Sequence, residues 1–220
     1  MENNQIRETR TVSGFSRVLH RGVGNVIVTQ GDKEELIIEA NPDLMPRIKT
    51  EVVAGTLNIK YEFEWMDYLG LRFIGAGPIR YFVTMKTIDG LSLSGAGNLD
   101  ADKIETKELE TNLTGAGNMT IQHLTCQQLV VSLSGAGSIK IGGKTGKQEL
   151  QLSGAGSYNG EQLESEEATV RLSGVGSARI WVTKSLDASL SGAGSIDYYG
   201  SPQVEQRVSG IGGLHTLGNK

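Results

Sequence analysis

Asp100 and Asp102 stand two residues apart. On an extended strand that spacing puts both carboxylates on one face, where they could act as the acid and base of glycoside hydrolysis. His123 precedes Cys126 by three residues. An imidazole beside a thiol could form a nucleophilic pair, but the chemistry also needs an orienting group and an oxyanion site, and neither is visible. These two residues therefore read as a surface corner. His20, His123 and His215 lie far apart and match no metal-ligand spacing. The recurring Gly-x-Gly could cradle a phosphate. No copy completes Gly-x-Gly-x-x-Gly, since the third position holds Asp100, Thr120 or Lys140, and none leads into a helix. A calcium-binding roll would need a carboxylate column beside its glycines, and here Asn or Ser follows them. No catalytic residue, metal ligand or cofactor is assigned, and the chain reads as no enzyme.

The glycines belong to an architecture. Of 220 residues, 30 are Gly and only 4 are Pro. This glycine share is about twice the usual ~7%, without the strict period of collagen. The phrase Leu93-Ser94-Gly95-Ala96-Gly97-Asn98 returns at Leu113–Asn118, Leu133–Ser138, Leu152–Ser157, Leu172–Ser177 and Leu190–Ser195. Worn copies occur at Gly22–Asn25, Ile74–Gly77 and Val208–Gly212. From Gly75 to Gly210 the first glycines step by 20, 20, 20, 19, 20, 18 and 18 residues. Apolar residues alternate with period 2 after each corner (Leu99, Ala101; Met119, Ile121; Ile139, Ile141) and again before the next (Leu129, Val131, Leu133).

A unit of this length with short strands and a tight glycine corner is one coil of a parallel β-helix. It is too short for a propeller blade and lacks the leucine-rich-repeat signature. The expected fold is all-β, a right-handed parallel β-helix with coils of 18–20 residues and an N-terminal β-rich cap. The corner glycines would supply either positive φ or close backbone approach. The columns beside them, among them Ser94, Thr114, Ser134, Ser153, Ser173 and Ser191, could form hydrogen-bonded ladders. An outward column should run Arg80, Asp100, Thr120, Lys140, Asn159, Arg179, Asp197, with mixed signs that read as a solvated face. Residues 6–75 form the expected cap and 76–213 the helix repeats, as one continuous domain. Within the cap, Ala54-Gly55 reads as a hairpin tip and Asn41–Pro46 as one helical turn.

The aromatic residues are concentrated. Of 12 in the chain, 7 fall between residues 61 and 82, namely Tyr61, Phe63, Trp65, Tyr68, Phe73, Tyr81 and Phe82. They read either as core between cap and rod or as an exposed platform for a sugar or partner. Trp65, Tyr68 and Phe73 are the expected ligand-binding residues on the second reading. Net charge is −4 with both signs interspersed, which is no nucleic-acid footprint. No run of 18 apolar residues exists, so no transmembrane segment is expected. Met1–Gln5 has neither a basic nor an apolar leader region, so no signal peptide is expected in the chain as it stands. A single Cys126 excludes an internal disulfide.

The serial Ser-Gly-Ala-Gly-Asn/Ser phrase resembles the head GIN domain of the putative autotransporter adhesin family common in Bacteroidetes. So do Arg10–Phe15, Gly24–Asp32 and Ile48–Val52, and the resemblance spans roughly residues 10–212. It implies an exported, extracytoplasmic β-helical protein of the cell envelope. It supplies no catalytic residues to carry over. The function expected is a non-enzymatic adhesin that binds a glycan or an envelope or host protein. A structural, self-associating envelope module is the alternative, and a carbohydrate-active enzyme on the same scaffold ranks behind both.

Overall fold

Strand-forming alternation becomes a stack of parallel strands in the computed structural model, which describes residues 5–64 and 77–220. The molecule is a β-solenoid of about six turns. From the middle of the chain onward each coil contributes strands at the same offsets: β8 (Gly90–Leu93), β9 (Ala96–Glu105), β10 (Glu108–Leu113), β11 (Ala116–Leu133), β12 (Ala136–Leu152), β13 (Ala155–Leu172), β14 (Val175–Leu190), β15 (Ala193–Tyr199), β16 (Gln203–Val208) and β17 (Ile211–Thr216). All these pairings are parallel. Inward columns run without a break: Leu99, Met119, Ile139, Tyr158, Ala178, Ile196 on one side and Leu93, Leu113, Leu133, Leu152, Leu172, Leu190 on another. All twelve side chains are buried. Each buried Leu or Ile removes enough apolar surface from water to contribute about 1.5–3 kcal/mol.

The glycine corners follow from close approach, coil on coil. A Cβ on Gly115 would lie 1.9 Å from the carbonyl oxygen of Gly95, and one on Gly135 2.0 Å from that of Gly115. No side chain fits there, whatever its φ. Of the two reasons expected for glycine, steric approach is general along the column, whereas positive φ is confined to a few corners such as Gly24 and Gly212.

The N-terminal third builds the other end. β1 (Ile6–Arg10) pairs antiparallel with β4 (Glu35–Ala40), and β4 pairs antiparallel with β7 (Arg80–Met85). β5 (Ile48–Val53) and β6 (Thr56–Tyr61) form an antiparallel hairpin. Its tip is Ala54-Gly55, both at positive φ, as the mirror-image hairpin turns require. A single 3-10 turn, Met45–Arg47, follows the Asn41–Leu44 bend.

β2 (Arg17–Arg21) and β3 (Val23–Gln30) are not cap strands. They form a coil of the stack itself, parallel to β6 and β7 below and to β8 and β9 above. The coil beneath Gly95 is therefore Gly22, with a Cβ on Gly95 falling 1.8 Å from the Gly22 carbonyl oxygen. Gly75, from which the 20-residue step was counted, lies outside the described residues. Arg80 is not in the expected column: it registers with Asn25, and Ile27 takes the place beside Asp100. From Asp100 to Asp197 the outward column is as expected, and His215 extends it.

Candidate functional site

Ladders hold the corner in place. Asn98 Nδ2 donates to Asn25 Oδ1 at 3.1 Å, Asn118 Nδ2 to Asn98 Oδ1 at 3.1 Å, and Ser138 Oγ to Asn118 Oδ1 at 2.7 Å. The Ser94-to-Ser191 column is tied mainly through its backbone, as in Ser134 N–H to the Leu113 carbonyl at 3.0 Å. Its residues are exposed, and the Ser94 hydroxyl donates to the His20 carbonyl at 3.4 Å.

The chemistry-bearing residues do not converge. Asp100 and Asp102 are both exposed. Asp102 lies 3.6 Å from His123 Nδ1, and this contact is exposed as well. Cys126 is not at a surface corner. It alternates inward with Leu124 and lies in the core, away from exposed His123. Its thiol donates to Thr145 Oγ1 at 3.2 Å, and burial pushes its pKa up. It belongs to a buried polar cluster in which Tyr158 donates to Gln148 Oε1 (3.2 Å), Gln148 Nε2 to Ser165 Oγ (2.7 Å) and Ser165 to the Trp181 carbonyl (2.7 Å). Burial also raises the Tyr158 phenol far above its ordinary range. Such groups are structural: each polar atom is satisfied, and the thiol is kept protonated. Among the described residues, no group of three or more His, Cys, Asp or Glu comes together to hold a metal ion.

A different surface gathers near the end of β6. Tyr61 is buried, and Phe63 packs edge-on against it with ring centroids 5.0 Å apart. Phe63 itself is 40% exposed. Arg21 of β2 registers with Lys60 of β6, and both share one depression with Phe63. With the Ser94-Gly95-Ala96 corner they line a shallow depression of about 330 Å³. A partly exposed aromatic ring near cationic donors suits a sugar carrying carboxylate or sulfate groups, or an acidic peptide. Trp65, Tyr68 and Phe73 continue the chain from this point and lie outside the described residues. Tyr81 is buried, and Phe82 carries Arg7 over its ring at 5.6 Å. A second depression, about 460 Å³, is more polar in character and is crossed by the Arg17–Glu110 ion pair at 2.9 Å.

One aromatic pair escapes the clustering argument. Trp181 and Tyr199 stand in register on adjacent coils, each five residues after the second glycine of its corner. Lys220 Nζ lies 5.4 Å and 4.9 Å from their ring centroids. The equal offset within the repeat is the signal that finds this pair.

Comparisons with known proteins agree with this architecture. A putative adhesin from Bacteroides fragilis is 27% identical over 97% of both chains, with a TM-score of 0.87. A putative lipid binding protein from Parabacteroides distasonis (18% identity, 98% of both chains, TM-score 0.77) shares the fold. So does a putative adhesin from Parabacteroides merdae (20% identity, 98% of this chain and 97% of that one, TM-score 0.73). No curated protein sequence matches the chain. Among the described residues, no helix is long and apolar enough to cross a membrane. The family described as "Putative auto-transporter adhesin, head GIN domain" matches residues 14–202, and the chain belongs to that family.

Proposed function

We propose that the protein is a non-enzymatic, extracytoplasmic surface module that holds a glycan or a protein partner at its N-terminal end. Residues 6–75 and 76–213 act as one continuous domain in this reading, with the rod displaying the contact surface. The observation that carries it is the depression where Phe63 meets Arg21 and Lys60, from which the aromatic segment with Trp65, Tyr68 and Phe73 departs. Membership of an adhesin family supports a binding role over catalysis. The exposed, unclustered carboxylates and the buried thiol support it too.

An array of glycans and matrix proteins tests the reading. The wild-type chain should bind a subset of acidic glycans or acidic protein segments. The Trp65→Ala/Tyr68→Ala and Phe63→Ala variants should lose that binding while keeping the β-sheet circular dichroism of the parent. Binding that survives both variants unchanged would rule out this surface.

A further inference from the structure

The two ends of the solenoid are finished differently. The N-terminal end is wrapped by the antiparallel strands β1, β4 and β5. At the other end β16 registers only with β14, among the described residues, and its opposite edge has no strand against it. Its inward residues are left in water, with Val204 40% and Val208 46% exposed. A bare parallel coil with apolar residues at its rim is a template for another strand.

The sequence of this strand is complementary to itself. It reads Val204-Glu205-Gln206-Arg207-Val208. Even-numbered positions continue the inward columns, Gln206 above Ala188 and Val208 above Leu190, and odd-numbered positions point outward. Two copies run antiparallel about a twofold axis at Gln206 would set Val204 opposite the partner's Val208 on the inner face. On the outer face Glu205 would meet the partner's Arg207, and Arg207 the partner's Glu205. Gln206 would face the partner's Gln206, whose amide can both give and accept a hydrogen bond. Each pairing occurs twice by symmetry, as an isologous contact demands. Directly opposed opposite charges and apolar pairs are what stabilise an antiparallel ladder.

We infer that the protein forms a twofold, end-to-end dimer through antiparallel pairing of β16 with β16 of a second copy. This goes beyond the proposed binding role, uses the opposite end of the rod, and stands or falls separately from it. The dimer would leave the Phe63 depressions at the two distal ends. Within one chain Arg207 already bonds Asp187 at 3.1 Å and Glu205, which holds its guanidinium on the outer face.

Sedimentation across a concentration series reads the association. The wild type should reach twice the 23.6 kDa of one chain as concentration rises. Glu205→Arg alone and Arg207→Glu alone each oppose like charges at both symmetric contacts, and each should sediment as a monomer. The two variants mixed should recover the dimer, because every contact between them is then Arg against Glu. The double variant Glu205→Arg/Arg207→Glu should also recover it. Circular dichroism of each variant separates loss of pairing from loss of fold, and the mixture keeps the test open if one variant is weakened. A wild type that stays monomeric at every concentration would overturn the inference and make Glu205 and Arg207 guards of the edge. A dimer insensitive to both single changes, or a mixture that fails to recover it, would overturn it too.

Discussion

His20 occupies a place in the stack where the neighbours above and below are Leu93 and Ile59. It is fully buried, and neither ring nitrogen has a hydrogen-bond partner. Its ring lies 5.0 Å from that of Tyr81, whose hydroxyl donates to the Val23 carbonyl at 3.3 Å. Burial pulls its pKa down from 6.5 to about 4, outweighing an upward pull from the Val23 backbone. Between those two values the unfolded chain binds the proton and the folded chain does not, so stability falls as pH drops from about 6.5 and levels off near 4. The full loss from this group is about 3 kcal/mol. His20→Leu, which repeats the neighbouring residue type, should flatten that limb of the denaturant midpoint plotted against pH and leave the plateau at neutral pH little changed or raised. Cys126 marks a limit of reading single residues: beside His123 it looked like part of a corner, yet its alternation with Leu124 already placed it on the inner face.

At the scale of the coil, the repeat was open to inspection because every turn reuses the same solution to the same steric problem. Where the Gly115 corner stacks on Gly95, a methyl group would have to push backbone carbonyl against backbone carbonyl, with no flexible side chain to yield. Gly115→Ala should therefore cost about 3 kcal/mol or more, at the upper end for overpacking, measured as a fall in denaturant midpoint at unchanged slope. Gly14 and Gly55, with nothing within 4 Å of an added Cβ, depend on backbone conformation alone. The coil order at the N-terminal end was not legible. Nothing local in residues 17–30 signals that Asn25 will meet Asn98, 73 residues later, and so Arg80 was placed one column away from its position. The depression at Phe63 was hidden for the same reason, since Arg21, Lys60 and Gly95 come together only through that long-range register.

Over the whole molecule, stability in a stacked repeat is close to a sum of coil and neighbour terms, so the ends open first. Here the ends are unequal. The wrapped N-terminal end carries its own antiparallel pairs, while among the described residues β16 and β17 each pair with one strand. Amide exchange should be fastest in β16 and β17 and slowest in β11 to β13. Raising the protein concentration should slow exchange in β16 selectively, if pairing with a second copy covers that edge. Uniform protection along the rod would contradict the first expectation.

The coil of β2 and β3, sandwiched between strands that follow it in the chain, also fixes an order of assembly. From β8 onward each new coil can be laid on a finished one as soon as it is synthesised. The coil made first cannot close either edge until β6, β7, β8 and β9 exist, so it must wait for residues up to Glu105. Bringing such distant segments together costs chain entropy before any contact repays it. The growing rod is thus founded on a knot of early and late strands, and coils can be added or lost in the later half without disturbing that foundation.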